Sequence, residues 1–291
     1  MPELPEVEVT RRRLAPLLVG RVIESVETTK DSYFFLTKPA TLKRRLTGRT
    51  VRELSRLGKY LLAELDDGDR LLLHLGMTGQ LFSSAVSSVR LFSAKTRGSL
   101  APEALREFKP DAHTHLRLHF EDGGPSVLFR DVRKFGKVAL IRAGTKDRAW
   151  TSWALMRFRP TAKPCSRPRA PARPRSRAYC SIKSVIAGIG NIYADEALFM
   201  AKVRPTRGAR RVTAGECQAI VAAAKRVMER SIETGGSSIS DYVTPDGSDG
   251  GYQDERKVYA RKGLPCLVCK EPIRRVVIAT RSTHYCPECQ V

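Results

Sequence analysis

Four cysteines close to the carboxyl end of the chain restrict its fold more than any other feature. They form two Cys-x-x-Cys pairs, Cys266/Cys269 and Cys286/Cys289, with sixteen residues between the pairs. Each Cys-x-x-Cys turn directs two thiolates at one ion, and four thiolates suit the tetrahedral coordination of Zn²⁺. We therefore predict a zinc-finger β-hairpin that holds one structural Zn²⁺ on these cysteines. Two disulfides are the alternative, and they would require a secreted protein.

The charge balance of the chain indicates a polyanionic partner. The 291 residues include 52 lysines and arginines but only 30 aspartates and glutamates, which gives a formal net charge of +22. Nucleic acid is the partner that such an excess favours. A hydrophobic content of 42% argues against a disordered basic tail. Because no apolar run is long enough for a membrane span and the acidic start MPELPEVEV is unlike a signal peptide, we expect a cytoplasmic protein.

The pattern along the chain predicts an α+β multidomain fold. Short apolar segments bounded by DG, GG and GR turns are typical of strands and predict an N-terminal β-sandwich with flanking helices. A helical domain follows, and the zinc-finger β-hairpin closes the chain. The expected boundaries are residues 1–145 for the sandwich, 146–183 for an anomalous linker, 184–256 for the helical domain and its loop, and 257–291 for the zinc finger.

Individual elements can be placed by their periodicity. An amphipathic helix opens the chain, with Val7, Val9, Leu14 and Leu18 on one face. Thr213 and Glu216 have the spacing of a capping box before a helix over 214–233, and a further helix is expected over 194–201. Predicted strand segments are Thr50–Leu65, Arg70–Leu75, Leu116–Phe120 and Ser126–Phe129.

A proline directly after the initiator methionine is a candidate nucleophile. Removal of Met1 would leave Pro2 with a secondary amine, which has a lower pKa than a lysine and is therefore less protonated at neutral pH. Such an amine can attack a sugar C1′ and form an iminium, and Glu3 is adjacent as a general acid or base. Taken alone, a proline at this position also fits the first turn of a helix.

Several segments in the same order resemble one family, the formamidopyrimidine-DNA glycosylases. The opening MPELPEVEV is similar to the start of that family, and Leu4 and Val7 fit it better than the related endonuclease VIII group. The other matching segments are Gly58–Leu61, His74–Gly79, Asp131–Gly136, Gly188–Glu196 and the zinc segment ending in Thr280–Cys286.

This resemblance implies a bifunctional DNA glycosylase and abasic-site lyase of base excision repair that removes oxidised purines such as 8-oxoguanine and formamidopyrimidines. Pro2 would form a Schiff base with C1′, Glu3 would protonate the opening deoxyribose, and Glu6 would help to order the site. Lys59 would hold a DNA phosphate, and Arg281, at the tip of the zinc hairpin, would contact phosphates around the lesion. Strand cleavage would follow by β,δ-elimination.

The resemblance also implies a set of DNA-binding residues. A base must leave the stack to expose C1′, so other groups must fill the gap. Met77 and Phe135 would insert between bases and Arg133 would bond to the orphaned base, although core packing is the ordinary role of such apolar residues. Asn191, in a helix–two-turn–helix segment, would bind phosphate oxygens. We expect a monomer that binds damaged double-stranded DNA at the nucleoid.

Two departures from the family leave alternatives open. Ser248 occupies a position, within the loop 235–251 over the extruded base, where the family often has lysine. Residues 83–110 form a longer connection than the family usually has at this point. We interpret His113 and His115, which follow it, as structural residues. Besides oxidised purines, oxidised pyrimidines remain possible substrates. A non-catalytic damaged-DNA-binding protein is a third possibility, and the presence of Pro2, Glu3 and Lys59 argues against it.

Residues 149–183 differ from the family in composition and in motifs. They contain five prolines, seven arginines and two lysines but no aspartate or glutamate. The family motifs Leu-Gly-x-Asp-Ala-Leu and Leu-Leu-Asp-Gln are missing, and both can be recovered by reading the codons one nucleotide out of phase. We therefore hypothesise that this segment is an out-of-frame translation, which stop codons in the shifted phase of the coding DNA would refute. A Pro/Arg-rich linker is the simpler alternative.

Overall fold

The computed structural model describes residues 2–86, 110–144, 178, 182–183, 186–239 and 242–291. The chain divides into two compact units, which are Met1–Lys146 with Ile232–Gln253 and Asp147–Ser231 with Asp254–Val291. Most of the anomalous segment 149–183 and of the insertion 83–110 lies outside the described residues. The expected boundary at residues 145–146 lies outside them as well.

Unit 1 begins with helix α1 (Leu4–Leu18), followed later by α2 (Pro39–Leu46). Glu3 is the N-cap of α1, and its backbone N–H donates to the Glu6 carboxylate over 2.7 Å, which satisfies one of the amides that a helix start leaves unpaired. The apolar face predicted for this helix is buried, and Val7, Leu14 and Leu18 join the hydrophobic core.

Two four-stranded antiparallel sheets make up the rest of unit 1, with strand orders β1-β6-β7-β5 and β2-β3-β4-β8. Apolar side chains from both sheets and both helices contribute to one core, so the predicted β-sandwich with flanking helices is confirmed. The strands are β1 Ile23–Thr28, β2 Val51–Leu57, β3 Tyr60–Leu65, β4 Arg70–His74, β5 Gly79–Ser83, β6 Thr114–Phe120, β7 Val127–Asp131 and β8 Lys137–Ile141.

The prediction of one strand segment over Thr50–Leu65 was wrong, because a tight turn divides it into β2 and β3. Leu57 pairs with Tyr60, and Gly58 and Lys59 form a two-residue hairpin loop between them. Gly58 has φ +59°, a conformation that glycine adopts without the steric cost of a side chain. The turn thus places Lys59 at the end of the hairpin.

Unit 2 contains α3 (Asn191–Met200), most of α4 (Ala214–Glu233) and the antiparallel hairpin of β9 (Arg274–Ile278) and β10 (Arg281–Tyr285). The predicted helix over 214–233 is confirmed with its capping box: Thr213 N–H donates to Glu216 over 2.7 Å, and Glu216 N–H donates to the Thr213 hydroxyl over 3.2 Å. A short helix α5 spans Tyr252–Glu255. Among the described residues, no helix has the length and apolar character needed to span a membrane.

Candidate functional site

The start of α1 gathers two buried carboxylates beside Pro2. Pro2 is buried, Glu3 is 5% exposed and Glu6 is 1% exposed. One Glu6 oxygen accepts the Glu3 N–H, and the other accepts the N–H of Ser237 over 2.9 Å. The positive end of the helix dipole stabilises negative charge at this position. Glu6 therefore joins the backbone next to the candidate nucleophile to the glycine-rich loop, residues 235–251, which follows α4.

A third buried carboxylate, Glu8, attaches the turn that carries Lys59 to α1. Arg56 Nε donates to Glu8 over 2.8 Å, and Arg56 Nη1 donates to the Gly58 carbonyl over 2.9 Å. Burial by itself raises the pKa of Glu8, but hydrogen bonds from Arg11, Arg56 and then Arg12 outweigh it and lower the pKa to about 2. Lys59, which is half-buried, directly follows Gly58, the residue whose carbonyl accepts the hydrogen bond from Arg56.

The sequence contained a partial signal for this cluster. Glu8 precedes Arg11 by three residues and Arg12 by four, a spacing that brings opposite charges together on a helix surface. Arg56 lies 48 residues from Glu8 in the sequence, so only the pairing of the elements reveals that it bridges to the Lys59 turn.

Two loops of unit 1 carry the residues predicted to enter the DNA stack. Phe135 is 42% exposed, which excludes the core-packing alternative for it, whereas Met77 is half-buried. The exposed Arg133 guanidinium lies 4.7 Å from the centre of the Phe135 ring. A planar cation stacked on an aromatic ring is attracted by its quadrupole. The loop between β7 and β8 therefore presents Arg133 and Phe135 as a stacked pair on the protein surface.

Asp131 fastens these two loops to each other. Its fully buried carboxylate accepts the Thr78 hydroxyl of the Met77 loop, and it also accepts the N–H groups of Arg133 and Gly136 over 3.1 and 2.6 Å. A carboxylate with this many donors fixes the conformation of the backbone around it. Asp131 is the first residue of the matching segment Asp131–Gly136, but the sequence pattern does not indicate this role.

His115 supports the same loop from the interior, and its structural interpretation is confirmed. It is fully buried on β6, its ring centre lies 4.9 Å from that of Phe34, and Nε2 lies 3.0 Å from the Asp131 carbonyl. Burial lowers the pKa of His115, which favours the neutral ring. His113 precedes the first residue of β6 and is half-buried.

In unit 2, Asn191 is the first residue of α3 and follows the N-cap Gly190. The ammonium group of Lys183 donates to the Asn191 side-chain oxygen over 2.6 Å. The N–H groups of a helix start point outward and attract anions. This end of α3 is therefore suited to a phosphate oxygen, with the Lys183 charge next to it.

The same helix holds the zinc module through two acids, Asp195 and Glu196, whose contacts cannot be seen in the sequence pattern of Gly188–Glu196. Glu196 is buried and accepts the N–H groups of Lys257, Val258 and Tyr259 at 2.8 to 2.9 Å. Asp195 accepts the backbone N–H of His284 over 2.7 Å. Helix α3 thus connects the Asn191 turn to the β9–β10 hairpin.

The four cysteines predicted to bind zinc come together. Their Sγ atoms all lie within 4.8 Å of one another, with separations of 3.9 Å for Cys266–Cys289 and 3.4 Å for Cys269–Cys286. Tetrahedral zinc with Zn–S bonds of about 2.3 Å needs sulfur separations of roughly 3.8 Å, and disulfide sulfurs are only about 2.05 Å apart. The geometry fits one structural Zn²⁺, and the disulfide alternative is wrong.

Arg281 lies at the tip of the zinc hairpin, as predicted. It is the exposed first residue of β10 and pairs with Ile278 across a two-residue turn. Both turn residues, Ala279 and Thr280, have positive φ, which matches the twist of a tight hairpin. Unit 2 thus carries Asn191, Arg281 and the cysteines, and unit 1 carries all the other predicted site residues.

Three family models match successive parts of the chain. The formamidopyrimidine-DNA glycosylase N-terminal domain matches residues 1–138, the formamidopyrimidine-DNA glycosylase H2TH domain matches residues 182–243, and the zinc finger found in FPG and IleRS matches residues 263–291.

Relatives and solved structures agree with these matches. Formamidopyrimidine-DNA glycosylases of Thermus thermophilus and Solibacter usitatus are each 37% identical to the chain, over all of it and 98% and 99% of their own lengths. The crystal structure of Lactococcus lactis Fpg with an abasic site containing DNA has a TM-score of 0.79 at 29% identity, with all of both chains covered. A second complex of that protein, with an oxidized pyrimidine containing DNA, has a TM-score of 0.78 at 29% identity and 99% coverage of each chain.

Proposed function

The chain belongs to the formamidopyrimidine-DNA glycosylase family and is a DNA glycosylase and abasic-site lyase of base excision repair, and we propose that it excises oxidised purines through Pro2. The observation that carries this proposal is the buried arrangement of Pro2, Glu3 and Glu6 at the start of α1. A carboxylate next to an amine nucleophile supplies the proton transfers that glycosidic cleavage needs.

The first half of the proposed reaction removes the base. After Met1 has been removed, the Pro2 nitrogen attacks C1′ of the damaged nucleoside and gives up its proton. The base leaves with the electron pair of its bond to C1′ and takes up a proton. Glu3 delivers a proton to O4′ as the sugar ring opens, so that C1′ is left as an iminium joined to Pro2. Glu6 holds the Glu3 backbone in place through the 2.7 Å hydrogen bond from its N–H.

The second half cuts the strand. The iminium acidifies the C2′ proton, and loss of that proton expels the 3′ phosphate in the β-elimination. A second elimination expels the 5′ phosphate, and water then releases the sugar fragment and regenerates Pro2. Lys59, on the turn braced by Arg56, is proposed to hold a phosphate and stabilise its charge during these steps.

The proposed DNA contacts follow from the loops and from unit 2. Phe135 and Met77 replace the extruded base in the stack, and Arg133 bonds to the orphaned base. Asn191 and Arg281 bind phosphates of the backbone. Cys266, Cys269, Cys286 and Cys289 would hold a Zn²⁺ with four thiolates and leave no coordination position for water, so the metal would stabilise the hairpin and take no part in the reaction.

Damaged double-stranded DNA is the proposed substrate, bound by a monomer that works in the cytoplasm at the nucleoid. The net charge of +22 supports a DNA partner. Oxidised pyrimidines are a second candidate class of substrate, since Ser248 replaces the usual lysine of the loop and the L. lactis relative forms a complex with DNA containing an oxidised pyrimidine.

Borohydride trapping on a panel of lesions tests both parts of the proposal. We expect a covalent adduct on duplexes with 8-oxoguanine opposite cytosine, faster excision of this base than of an oxidised pyrimidine, and loss of the adduct in Pro2→Gly. An undiminished adduct in Pro2→Gly would refute the role of Pro2. Faster excision of the oxidised pyrimidine would favour the second class of substrate.

A further inference from the structure

Arg13, on the third turn of α1, contacts a short turn of the glycine-rich loop. Its Nη1 atom lies 3.2 Å from Thr244 Oγ1, 2.5 Å from Asp246 Oδ2 and 2.8 Å from Ser248 Oγ. One guanidinium nitrogen thus reaches three acceptors within five residues. The family resemblance gave Arg13 no role, and Ser248 is the position at which the family often has lysine.

The turn Thr244–Ser248 is built around the Asp246 carboxylate. Asp246 Oδ1 accepts Ser248 N–H over 3.2 Å and Ser248 Oγ–H over 2.8 Å, and Thr244 N–H donates to the Ser248 carbonyl over 3.0 Å. Partial burial raises the pKa of Asp246, but hydrogen bonds from Thr244 and Ser248 and the Arg13 charge together lower it to about 2. The turn therefore carries a negative charge at neutral pH, and Arg13 supplies the cation that balances it.

A second contact attaches the same loop to the same helix. Glu6 accepts the Ser237 N–H over 2.9 Å, and its carbonyl accepts the hydroxyl of the buried Tyr242 over 3.2 Å. Glu6 and Arg13 are seven residues apart, which is two helical turns and the same face of α1. The helix that begins next to the nucleophile therefore holds the loop at two positions.

We propose that Arg13 is a positioning residue for recognition of the damaged base. Its guanidinium holds the turn Thr244–Ser248 and supplies the positive charge that a lysine at position 248 would otherwise supply. The proposal rests on the proposed function, in which this loop covers the extruded base. Arg13 acts through the turn and has no part in the attack on C1′.

The expected effect comes from preorganisation of the turn. An isolated surface ion pair contributes little to stability, and the Arg13 and Asp246 side chains are 37% and 58% exposed. A turn that loses its anchor populates the base-binding arrangement less often, and the apparent affinity for the base falls by the same fraction. A preformed abasic site has no base to recognise, so cleavage at such a site does not depend on this anchor.

Two substrates separate this role from a general loss of structure. We expect Arg13→Ala to lower kcat/KM for excision of 8-oxoguanine about tenfold, the effect of losing one charge-assisted contact. Strand cleavage at a preformed abasic site should stay unchanged. Arg44→Ala, which removes an exposed arginine from α2, is the charge-matched control and should retain both activities.

A double variant tests the exchange of the cation between positions 13 and 248. Adding Ser248→Lys to Arg13→Ala returns a positive charge to the turn, so excision of 8-oxoguanine should recover. If excision of 8-oxoguanine does not recover, a cation at position 248 cannot replace the one at position 13, and that part of the proposal is wrong. Wild-type excision by Arg13→Ala, or equal losses on both substrates, would overturn the positioning role. A wild-type enzyme inactive on both substrates would instead overturn the proposed function itself.

Discussion

At the scale of single residues, buried carboxylates organise unit 1 around α1. Glu6 reaches the Glu3 backbone and the glycine-rich loop, and Glu8 reaches Arg56 at the Lys59 turn. An acid held by several donors fixes the position of those donors, and removing it leaves buried polar groups unpaired. We interpret these two glutamates as the link between the candidate nucleophile and the groups proposed to bind the DNA and the damaged base.

The pH dependence of the free energy of unfolding tests whether the ionised Glu8 carboxylate stabilises the folded protein. The pKa of Glu8 is lowered from 4.5 to about 2 in the folded protein. The stabilisation of the fold by ionised Glu8 is therefore complete above about pH 4.5 and is lost as the pH falls towards 2. Glu8→Gln should reduce the free energy of unfolding at pH 7 by about 2–3 kcal/mol. In urea titrations, the difference from wild type should narrow below pH 4.5.

Glu24→Gln, which alters an exposed glutamate of β1, is the control and should leave stability nearly unchanged. A difference between Glu8→Gln and wild type that stays constant from pH 7 to pH 3 would contradict the assignment of the stabilisation to an ionised Glu8.

At the scale of elements, the two loops with the proposed stack-entering residues behave as one piece. Asp131 joins them by hydrogen bonds, and they also touch directly at Gly76, next to Met77. A Cβ atom at Gly76 would lie 2.4 Å from the backbone carbon of Phe135, closer than any side chain tolerates. Gly76 also has φ +61°, so glycine is required there for two separate reasons.

Gly76→Ala should therefore displace the Phe135 loop. We expect a loss of about 3 kcal/mol in the free energy of unfolding, from a strained backbone plus steric overlap. The KM for lesion-containing DNA should rise about tenfold, the equivalent of roughly 1.4 kcal/mol. Urea unfolding and steady-state excision provide the two measurements.

Gly123→Ala is a matched control for this prediction. Gly123 has a similar φ of +65°, but no atom lies within 4 Å of the position that its Cβ would take, so only the backbone strain of about 1 kcal/mol should appear. Equal effects of the two substitutions would show that contact between the loops does not matter.

At the scale of the whole molecule, regular sequence patterns predicted the architecture well, but they did not predict the contacts that support it. The CxxC pairs predicted the zinc hairpin, and the Thr213/Glu216 spacing predicted the start of α4, because both depend on neighbours in sequence. The hydrogen bond from Arg56 to Glu8 joins residues that are distant in sequence, and a periodic sequence pattern cannot predict such a contact. The out-of-frame hypothesis for residues 149–183 stays a prediction, to be settled by the coding DNA.

The zinc finger offers a test of how the hairpin contributes to DNA binding. Chelation of the single Zn²⁺ should release four additional reactive thiols per chain, since four cysteines lose their ligand. Without the metal the hairpin loses its fold, so Arg281 no longer has a fixed position and the affinity for abasic-site DNA should fall at least about tenfold. Full affinity in zinc-free protein, measured by fluorescence anisotropy, would argue against a role for the hairpin in binding.

The most direct test of the catalytic role of Pro2 is the location of the trapped adduct. The wild-type protein is reduced with borohydride on 8-oxoguanine DNA, digested, and mapped by mass spectrometry. We expect Met1 to be absent and the deoxyribose fragment to be attached to the nitrogen of Pro2. An adduct on a lysine, or a trapped protein that still carries Met1, would contradict Pro2 as the nucleophile.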